Sequence, residues 1–273
     1  MSHDTLGVAI PGCGGQMGRA LVQAVAAADD LWLAAASEAP GSPSVGQDAG
    51  PVAGLSPLGV TVTDDVDRLL EPAEAVIDFT LPDATLQLAP LCAHRRLPLV
   101  VGTTGLGTPG MTALREAALH IPVVFSPNMS VGVNVLLRLA EETARLLGPA
   151  FDLEIVEAHH SRKADAPSGT ALALARALAA GSPEVGDLAH RMCHTRSGQI
   201  GPRPPGQIGI QTVRGGDVVG DHTVLFLGQG ERVELTHRAS SRQTFARGAL
   251  RALRWVTQQP PGLYSMRDVL GLG

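Results

Sequence analysis

The chain has 273 residues, 44% hydrophobic and 17% charged. It can bury a core, it is not the composition of a disordered chain, and at roughly 150 residues per domain it is long enough for two. A net charge of −5 and few aromatic residues (5 Phe, 2 Trp, 1 Tyr) argue against nucleic acid as a partner, whether held by a basic field or by base stacking.

Residues 6–10 form a short apolar run that ends in Gly12-Cys13-Gly14-Gly15, which reads as a buried strand and a glycine turn. Residues 17–28 follow with apolar side chains at helical spacing, and residues 31–36 read as a second buried strand ending at Ser37-Glu38. Together they make one βαβ unit. Residues 39–59 are rich in Gly, Pro and Ser and predict a loop, with a minor strand at 60–63. Strands are predicted at 75–79, 97–101 and 121–125, and helices at 85–94 and 108–119, with Pro82 closing the turn after the first of these strands. Thr108 is the expected N-cap of the second helix and Pro109 its first residue. Alternating short apolar strands and helices imply a mostly parallel sheet covered on both faces.

After Pro127 the pattern changes. A long helix is predicted over 131–147, a strand over 151–157, a loop over 159–168 and a helix of about ten residues from Thr170. Residues 182–205 read as polar loop. Strands at 207–213, 222–227 and 232–237 and a helix at 243–258 complete the chain. Strands clustered after position 150 suggest a second, α+β domain with a mixed or antiparallel sheet. The expected division is 1–129, completed by 241–273, and 130–240.

No apolar run approaches the roughly 18 residues of a membrane span. The opening Met1-Ser2-His3-Asp4 lacks the basic region of a signal peptide. Cys13, Cys92 and Cys193 lie far apart and predict free thiols in a reducing compartment. The expected location is the cytoplasm.

Three constellations carry chemistry. In Gly12-Cys13-Gly14-Gly15-Gln16-Met17-Gly18 the glycines let backbone approach a pyrophosphate at a helix N-terminus, although the third glycine of the usual dinucleotide spacing falls one place late. Glu38, at the end of the second strand, stands where an acid would accept ribose hydroxyls, and residues 39–44 hold no Arg or Lys, which favours NAD over NADP. Gly102-Thr103-Thr104-Gly105, Phe79-Thr80 and Ser126-Pro127-Asn128 each follow a strand. Each alone reads as turn chemistry, and three on one sheet edge make a floor for a nicotinamide. The densest cluster is Glu157-Ala158-His159-His160-Ser161-Arg162-Lys163-Ala164-Asp165-Ala166-Pro167-Ser168-Gly169-Thr170. Its donors, with a helix opening at Ser168, suit a small, multiply anionic molecule. Of 21 basic residues Lys163 is the single lysine, and it offers a titratable proton that Arg cannot. His190, Cys193 and His194 make zinc conceivable but match no standard spacing and offer no fourth ligand, and no metal is expected. Arg214-Gly215-Gly216-Asp217 reads first as a hairpin turn, and residues 237–245 as hinge or cleft lining.

These residues resemble the 4-hydroxy-tetrahydrodipicolinate reductase family over nearly the whole chain. The resemblance rests on Glu154 through His160 and Lys163 through Ala171, on Gly12 to Arg19, on the Gly102–Gly105 turn, on Pro127 to Asn134 and on Arg214 to His222. It implies an α/β enzyme of the diaminopimelate route to lysine, with an N-terminal Rossmann-like parallel-sheet domain for NAD(P)H, to which the last helices return. A C-terminal α+β domain would bind a cyclic dicarboxylate and build a homotetramer through its sheet. It further implies that His159 donates or accepts a proton and Lys163 donates one, and that His160, Lys163, Ser168, Gly169 and Thr170 hold the substrate carboxylates. Gly12, Gly15, Gln16, Met17, Glu38, Phe79, Thr80, Gly102, Thr103, Thr104, Ser126, Pro127, Asn128 and Met129 would hold the cofactor. Many family members carry a basic residue at the position of Gln16, and some carry Arg at that of Ala39. Their absence here points to NADH ahead of NADPH. A related NAD-dependent oxidoreductase of amino or imino diacids, and a non-enzymatic NAD-sensing scaffold, use the same fold; the donor cluster around Lys163 argues against the scaffold.

Overall fold

A computed structural model describes residues 5–272; Met1 to Asp4, read above for a signal peptide, and Gly273 lie outside the described residues. The chain divides into two compact units, residues 1–131 with 242–273, and residues 132–241.

The first unit opens β1 (Leu6–Pro11), α1 (Gln16–Ala26), β2 (Leu31–Ser37), α2 (Ala49–Val52), α3 (Val66–Leu70), β3 (Ala75–Asp78), α4 (Pro82–Arg95), β4 (Leu99–Val101), α5 (Gly107–Ala117) and β5 (Pro122–Phe125). The strands are short and apolar up to Ser37 and Asp78 at the ends of β2 and β3, because both faces of the sheet are covered. On one face Val8, Ile10 and Ile77 pack with Leu21 and Val25 of α1; on the other Ala9, Val76, Leu99 and Val101 pack with Leu69, Leu88 and Leu114 of α3, α4 and α5.

The second unit holds α6 (Val131–Leu147, whose first residue closes the first unit), β6 (Asp152–His159), α7 (Gly169–Gly181), α8 (Leu188–Arg191), β7 (Met192–Cys193), β8 (Ile208–Arg214), β9 (Gly220–Leu227) and β10 (Arg232–Ala239). Its sheet runs β10-β9-β6-β8-β7. β6 alternates buried and half-buried residues, the mark of a sheet with one covered face. Leu153, Ile155, Val224 and Phe226 meet Leu136 and Ala140 of α6 and Leu174 and Leu178 of α7 on that face.

The chain then returns to the first unit with α9 (Gln243–Val256), β11 (Gly262–Tyr264) and α10 (Met266–Leu270). β11 adds to β5, giving the order β11-β5-β4-β3-β1-β2 with every pair parallel. α9 lays Ala246, Ala249, Leu250 and Leu253 on the same core as α1.

Several expectations need correction. Residues 60–63 make only isolated bridges, Asp48 to Thr61 and Ser37 to Thr63. Pro82 opens α4 at its first turn, where a missing N–H costs nothing. α5 starts at Gly107 after buried Leu106, so Thr108 and Pro109 fall inside its first turn. The 215–219 connection is not a hairpin: β6 lies between β8 and β9, parallel to one and antiparallel to the other.

Gly248 of α9 fixes the end of this return. A Cβ there would lie 1.8 Å from the Met129 carbonyl oxygen, so only glycine lets α9 approach that backbone. Gly248→Ala should lower the unfolding free energy by about 1–3 kcal/mol, the usual cost of overpacking, read as a lower urea midpoint. An unchanged midpoint would contradict the close approach.

Candidate active site

In the first unit β1 ends at Pro11 and the chain reverses through Gly12 at φ +67°, a left-handed conformation that glycine adopts without strain. A Cβ at Gly18 would lie 2.0 Å from the Gly12 carbonyl oxygen. The glycine that falls one place late therefore allows the helix to pack against the turn. Gly15 caps α1 with no side chain on the helix N–H groups, and Gln16 and Met17 open the helix. A helix end left in this state favours an anion. Glu38 is tied to this turn: Oε1 accepts from the Gly14 N–H at 2.7 Å and Oε2 from the Ala39 N–H at 3.2 Å. A cavity of 480 Å³ runs past Gly12, Gly15, Glu38, Phe79 and Thr80. Its lining includes a second carboxylate, Asp64, and neither Lys nor Arg.

The ends of β3, β4 and β5 line up, with Asp78 beside Val101 and Val101 beside Phe125. This register brings Phe79-Thr80, the Gly102 turn and Ser126 to one edge of the sheet. Asp78, fully buried, ties two of these turns together. It accepts from the Thr80 N–H at 2.9 Å and from the Thr80 and Thr85 hydroxyls at 2.5 Å each, and Thr103 approaches at 3.5 Å. Burial pushes its carboxyl above the ordinary carboxylate range, against the pull of these hydroxyls. The Phe79 ring fills the space where Gly102 would carry a Cβ. Ser126 Oγ donates to the Asn128 carbonyl at 2.8 Å, and Asn128 Oδ1 accepts from the Ser130 N–H at 2.9 Å. Thr103 and Met129 are buried, whereas Thr104 and Pro127 are exposed. These residues fit a dinucleotide: bare backbone for a pyrophosphate, an acid at the second strand and an edge of three turns.

In the second unit the period of two in β6 puts Glu157 and His159 on the covered face. Glu157 is completely buried, and its two oxygens gather five donors. Oε2 meets His159 Nδ1 at 2.6 Å and Arg214 Nη1 at 2.8 Å; Oε1 accepts from Arg214 Nη2 at 2.9 Å, the Ser168 N–H at 3.1 Å and Thr212 Oγ1 at 3.3 Å. Burial opposes the charge, but the Arg214 fork, His159 and the Ser168 N–H outweigh it and hold the carboxyl at about 2. Burial lowers the His159 ring below the ordinary histidine value, against the pull of Glu157. The His222 ring stands edge-on to it at 5.1 Å and is pushed down to about 4, first by burial and then by His159.

The 215–219 segment passes over the end of β6. Gly215 N–H donates to the His159 carbonyl, His160 N–H to Val218 and Ser161 N–H to Gly216. This holds the donor loop, in which Lys163 Nζ lies 2.8 and 2.9 Å from the Asp165 carboxylate. Ser168 caps α7, accepting from the Ala171 N–H at 3.1 Å, and its hydroxyl lies 3.1 Å from His222 Nε2. Both polar groups of Ser168 are thus engaged within the protein. A Cβ on Gly169 would meet nothing within 4 Å, so space is open at the start of the helix, beside Gly169 and Thr170. His160 and Lys163 are half-buried on the same loop.

Sequence reading did not assign roles to Glu157, Arg214, His222 or Asp78. The available signal for Glu157 was its place two residues before His159 on an alternating strand. His190 and Cys193 have other partners, Asp187 at 3.5 Å and the Thr195 carbonyl at 3.4 Å. Among the described residues no three His, Cys, Asp or Glu side chains gather as a metal site.

Family models for the N-terminal and C-terminal parts of dihydrodipicolinate reductase match residues 6–129 and 132–270. A 4-hydroxy-tetrahydrodipicolinate reductase of Thiobacillus denitrificans is 56% identical over 265 residues, 97% of this chain and 98% of its own. One from Myxococcus xanthus is 52% identical and covers 96% of each chain. The solved structure of a dipicolinate-bound dihydrodipicolinate reductase from Paenisporosarcina sp. TG-14 is similar at TM-score 0.76 and 25% identity, over 97% of this chain and 98% of that one. An amine dehydrogenase from Mycobacterium smegmatis, at TM-score 0.59 and 14% identity over 96% and 95% of the two chains, shares the fold.

The Glu157 network should appear in the acid stability of the protein. Its carboxyl is depressed in the folded state, so its contribution is complete above the unfolded value of 4.5 and is lost as pH falls through about 2. Linkage puts that loss at roughly 3–4 kcal/mol. Urea unfolding from pH 5 downward should show wild type losing stability more steeply than Glu157→Gln, and parallel curves would contradict it.

Proposed function

The chain belongs to the dihydrodipicolinate reductase family, and from that premise we infer how its residues divide the work of the reaction. That reaction is the pyridine-nucleotide-dependent reduction of 4-hydroxy-tetrahydrodipicolinate to tetrahydrodipicolinate in the diaminopimelate route of lysine biosynthesis. Net, one hydride and one proton enter and one water leaves. The bound nicotinamide supplies the hydride.

Gly12, Gly15, Gln16 and Met17 would hold the pyrophosphate with backbone N–H groups at the start of α1. Glu38 would accept from the adenosine ribose. Phe79, Thr80, Gly102, Thr103, Thr104, Ser126, Pro127, Asn128 and Met129 would form the edge for the nicotinamide, with buried Thr103 and Met129 acting from beneath. His160, Lys163 and the opening N–H groups of α7 at Gly169 and Thr170 would hold the substrate carboxylates. Ser168, engaged with Glu157 and His222, opens that helix and orients it. Lys163 donates the proton and His159 works beside it. The observation that carries this reading is the convergence of His159, Arg214 and the helix start at Ser168 on one buried carboxylate, Glu157, with Lys163 on the loop that joins His159 to that helix.

We also propose a homotetramer assembled through the outer face of the second sheet, where Val213 is 50% exposed and Val156 and Leu225 are half-buried. A cytoplasmic location is supported by three free cysteines; burial pushes the Cys13 and Cys92 thiols up to about 12, where they resist oxidation.

The Lys163 assignment has a direct test. Lys163→Ala should lower kcat by about 10²–10⁴, the range for a positioned general acid. Lys163→Arg keeps the charge but holds its proton above about pH 12; it should bind substrate and remain crippled. Near-normal kcat in Lys163→Arg would remove the proton-donor role.

NADH should be preferred to NADPH, because Glu38 and Asp64 line the cavity and neither Gln16 nor Ala39 offsets a 2′-phosphate. The difference should be on the order of 1–3 kcal/mol in kcat/KM, as for a poorly compensated charge pair near a surface. Ala39→Arg should narrow it. Equal or better kcat/KM with NADPH would overturn the preference.

A further inference from the structure

We propose that Glu157 is a positioning residue for this reaction: it fixes the proton of the His159 ring on Nδ1, so that the ring meets the substrate as a hydrogen-bond acceptor through Nε2 and the acid's work falls to Lys163. The proposal rests on the reading of His159 and Lys163 given above and decides between the two directions in which His159 can move a proton.

The geometry fixes the tautomer. An ionised carboxylate has only acceptors to offer, so the 2.6 Å approach of Glu157 Oε2 to His159 Nδ1 requires the hydrogen on Nδ1. In a neutral ring the other nitrogen then carries a lone pair. Glu157 stays ionised because the Arg214 fork grips both its oxygens. It stays in place because the Ser168 N–H and the Thr212 hydroxyl fix its remaining directions. The carboxylate therefore has no freedom to follow the ring or to leave it.

A second proton on the ring is disfavoured from every side except that of Glu157. Arg214 arrives from β8, Lys163 from the following loop and His222 from β9, and the ring is largely buried. One positive charge already balances Glu157, and an imidazolium would add another beside Lys163. On the Nε2 side the neighbour is a glycine: a Cβ on Gly220 would stand 3.0 Å from that atom, so the start of β9 places no side chain against it. The arrangement has the parts of a carboxylate–histidine pair in which the acid sets the tautomer and orientation.

The tautomer can be read directly. In the full-length enzyme labelled with 15N-histidine, long-range proton–nitrogen spectra at neutral pH should show His159, identified by its absence from His159→Gln, as a neutral ring protonated on Nδ1. Glu157→Gln should move population to the Nε2-protonated form and lower kcat by about 10–100-fold, as for loss of an orienting outer partner, with KM for NADH unchanged. In a His159→Ala background the same change should cost nothing further, since coupled residues are non-additive. A wild-type ring protonated on Nε2 or on both nitrogens would overturn the proposal, even where Glu157→Gln fails to fold. Full additivity with His159→Ala would also overturn it, by reducing Glu157 to a structural residue. Wild-type kcat in His159→Ala would instead overturn the underlying placement of His159 in the site, whatever its tautomer.

Discussion

One buried carboxylate organises the donor cluster. Glu157 sits on β6 with no exposure to solvent, and its five donors come from β6 itself, from β8 and from the start of α7. An ionised carboxylate in that position carries a desolvation cost of several kcal/mol, recovered only when the geometry is good and every lone pair is used. Both conditions hold. The consequence is structural economy: the contacts that make the charge tolerable also aim His159 and set the entry of α7. The same Arg214 that neutralises Glu157 reaches with Nη2 to the Asp165 carbonyl at 2.7 Å, which brings the Lys163–Asp165 loop into the same constraint.

The first unit solves its problem differently. Its cradle is defined by side chains that are absent. Gly12 supplies a left-handed turn, Gly18 allows α1 to approach that turn, Gly102 makes room for the Phe79 ring and Gly248 lets α9 reach Met129. Each glycine adds conformational freedom to the unfolded chain and so costs stability. The return is backbone that a ligand can approach without meeting a Cβ. Asp78 supplies rigidity beneath this open backbone by collecting Thr80, Thr85 and Thr103 from separate segments.

Much of this was legible in the sequence where local pattern decides structure. α6 matches its expected span residue for residue, because an apolar stripe over seventeen residues determines a helix by itself. The βαβ opening and the parallel strands were visible as short apolar runs. What was not legible depends on tertiary placement. The 215–219 segment looks like a hairpin turn, since four turn-forming residues separate two strand patterns; nothing in its own sequence says that β6 lies between β8 and β9. β11 is three residues long and forms because β5 offers an open edge. The site divides along the same line. The donor cluster is contiguous and stood out. Arg214 and His222 lie 57 and 54 positions from Glu157 and Ser168, and only the sheet register brings them together. Asp78 is silent in sequence because its partners are three ordinary threonines.

Glu157 and Asp78 also separate two ways of keeping a carboxyl buried, and the difference bears on where a proton can come from. Asp78 has hydroxyls and no cation, and its carboxyl is raised. Glu157 has a guanidinium, and its carboxyl is lowered to about 2. A group held that low keeps no proton at neutral pH. His222, pushed down to about 4, keeps none to give, and burial works in the same direction on His159. Arg214 cannot release one. The donor proposed above, Lys163, stands outside the Glu157 network, in a chain that uses arginine at 20 of its 21 basic positions. The exposed Asp165 carboxylate beside it pairs its ammonium, and, being more than half exposed, it would leave no buried charge behind if the proposed substrate carboxylate took its place.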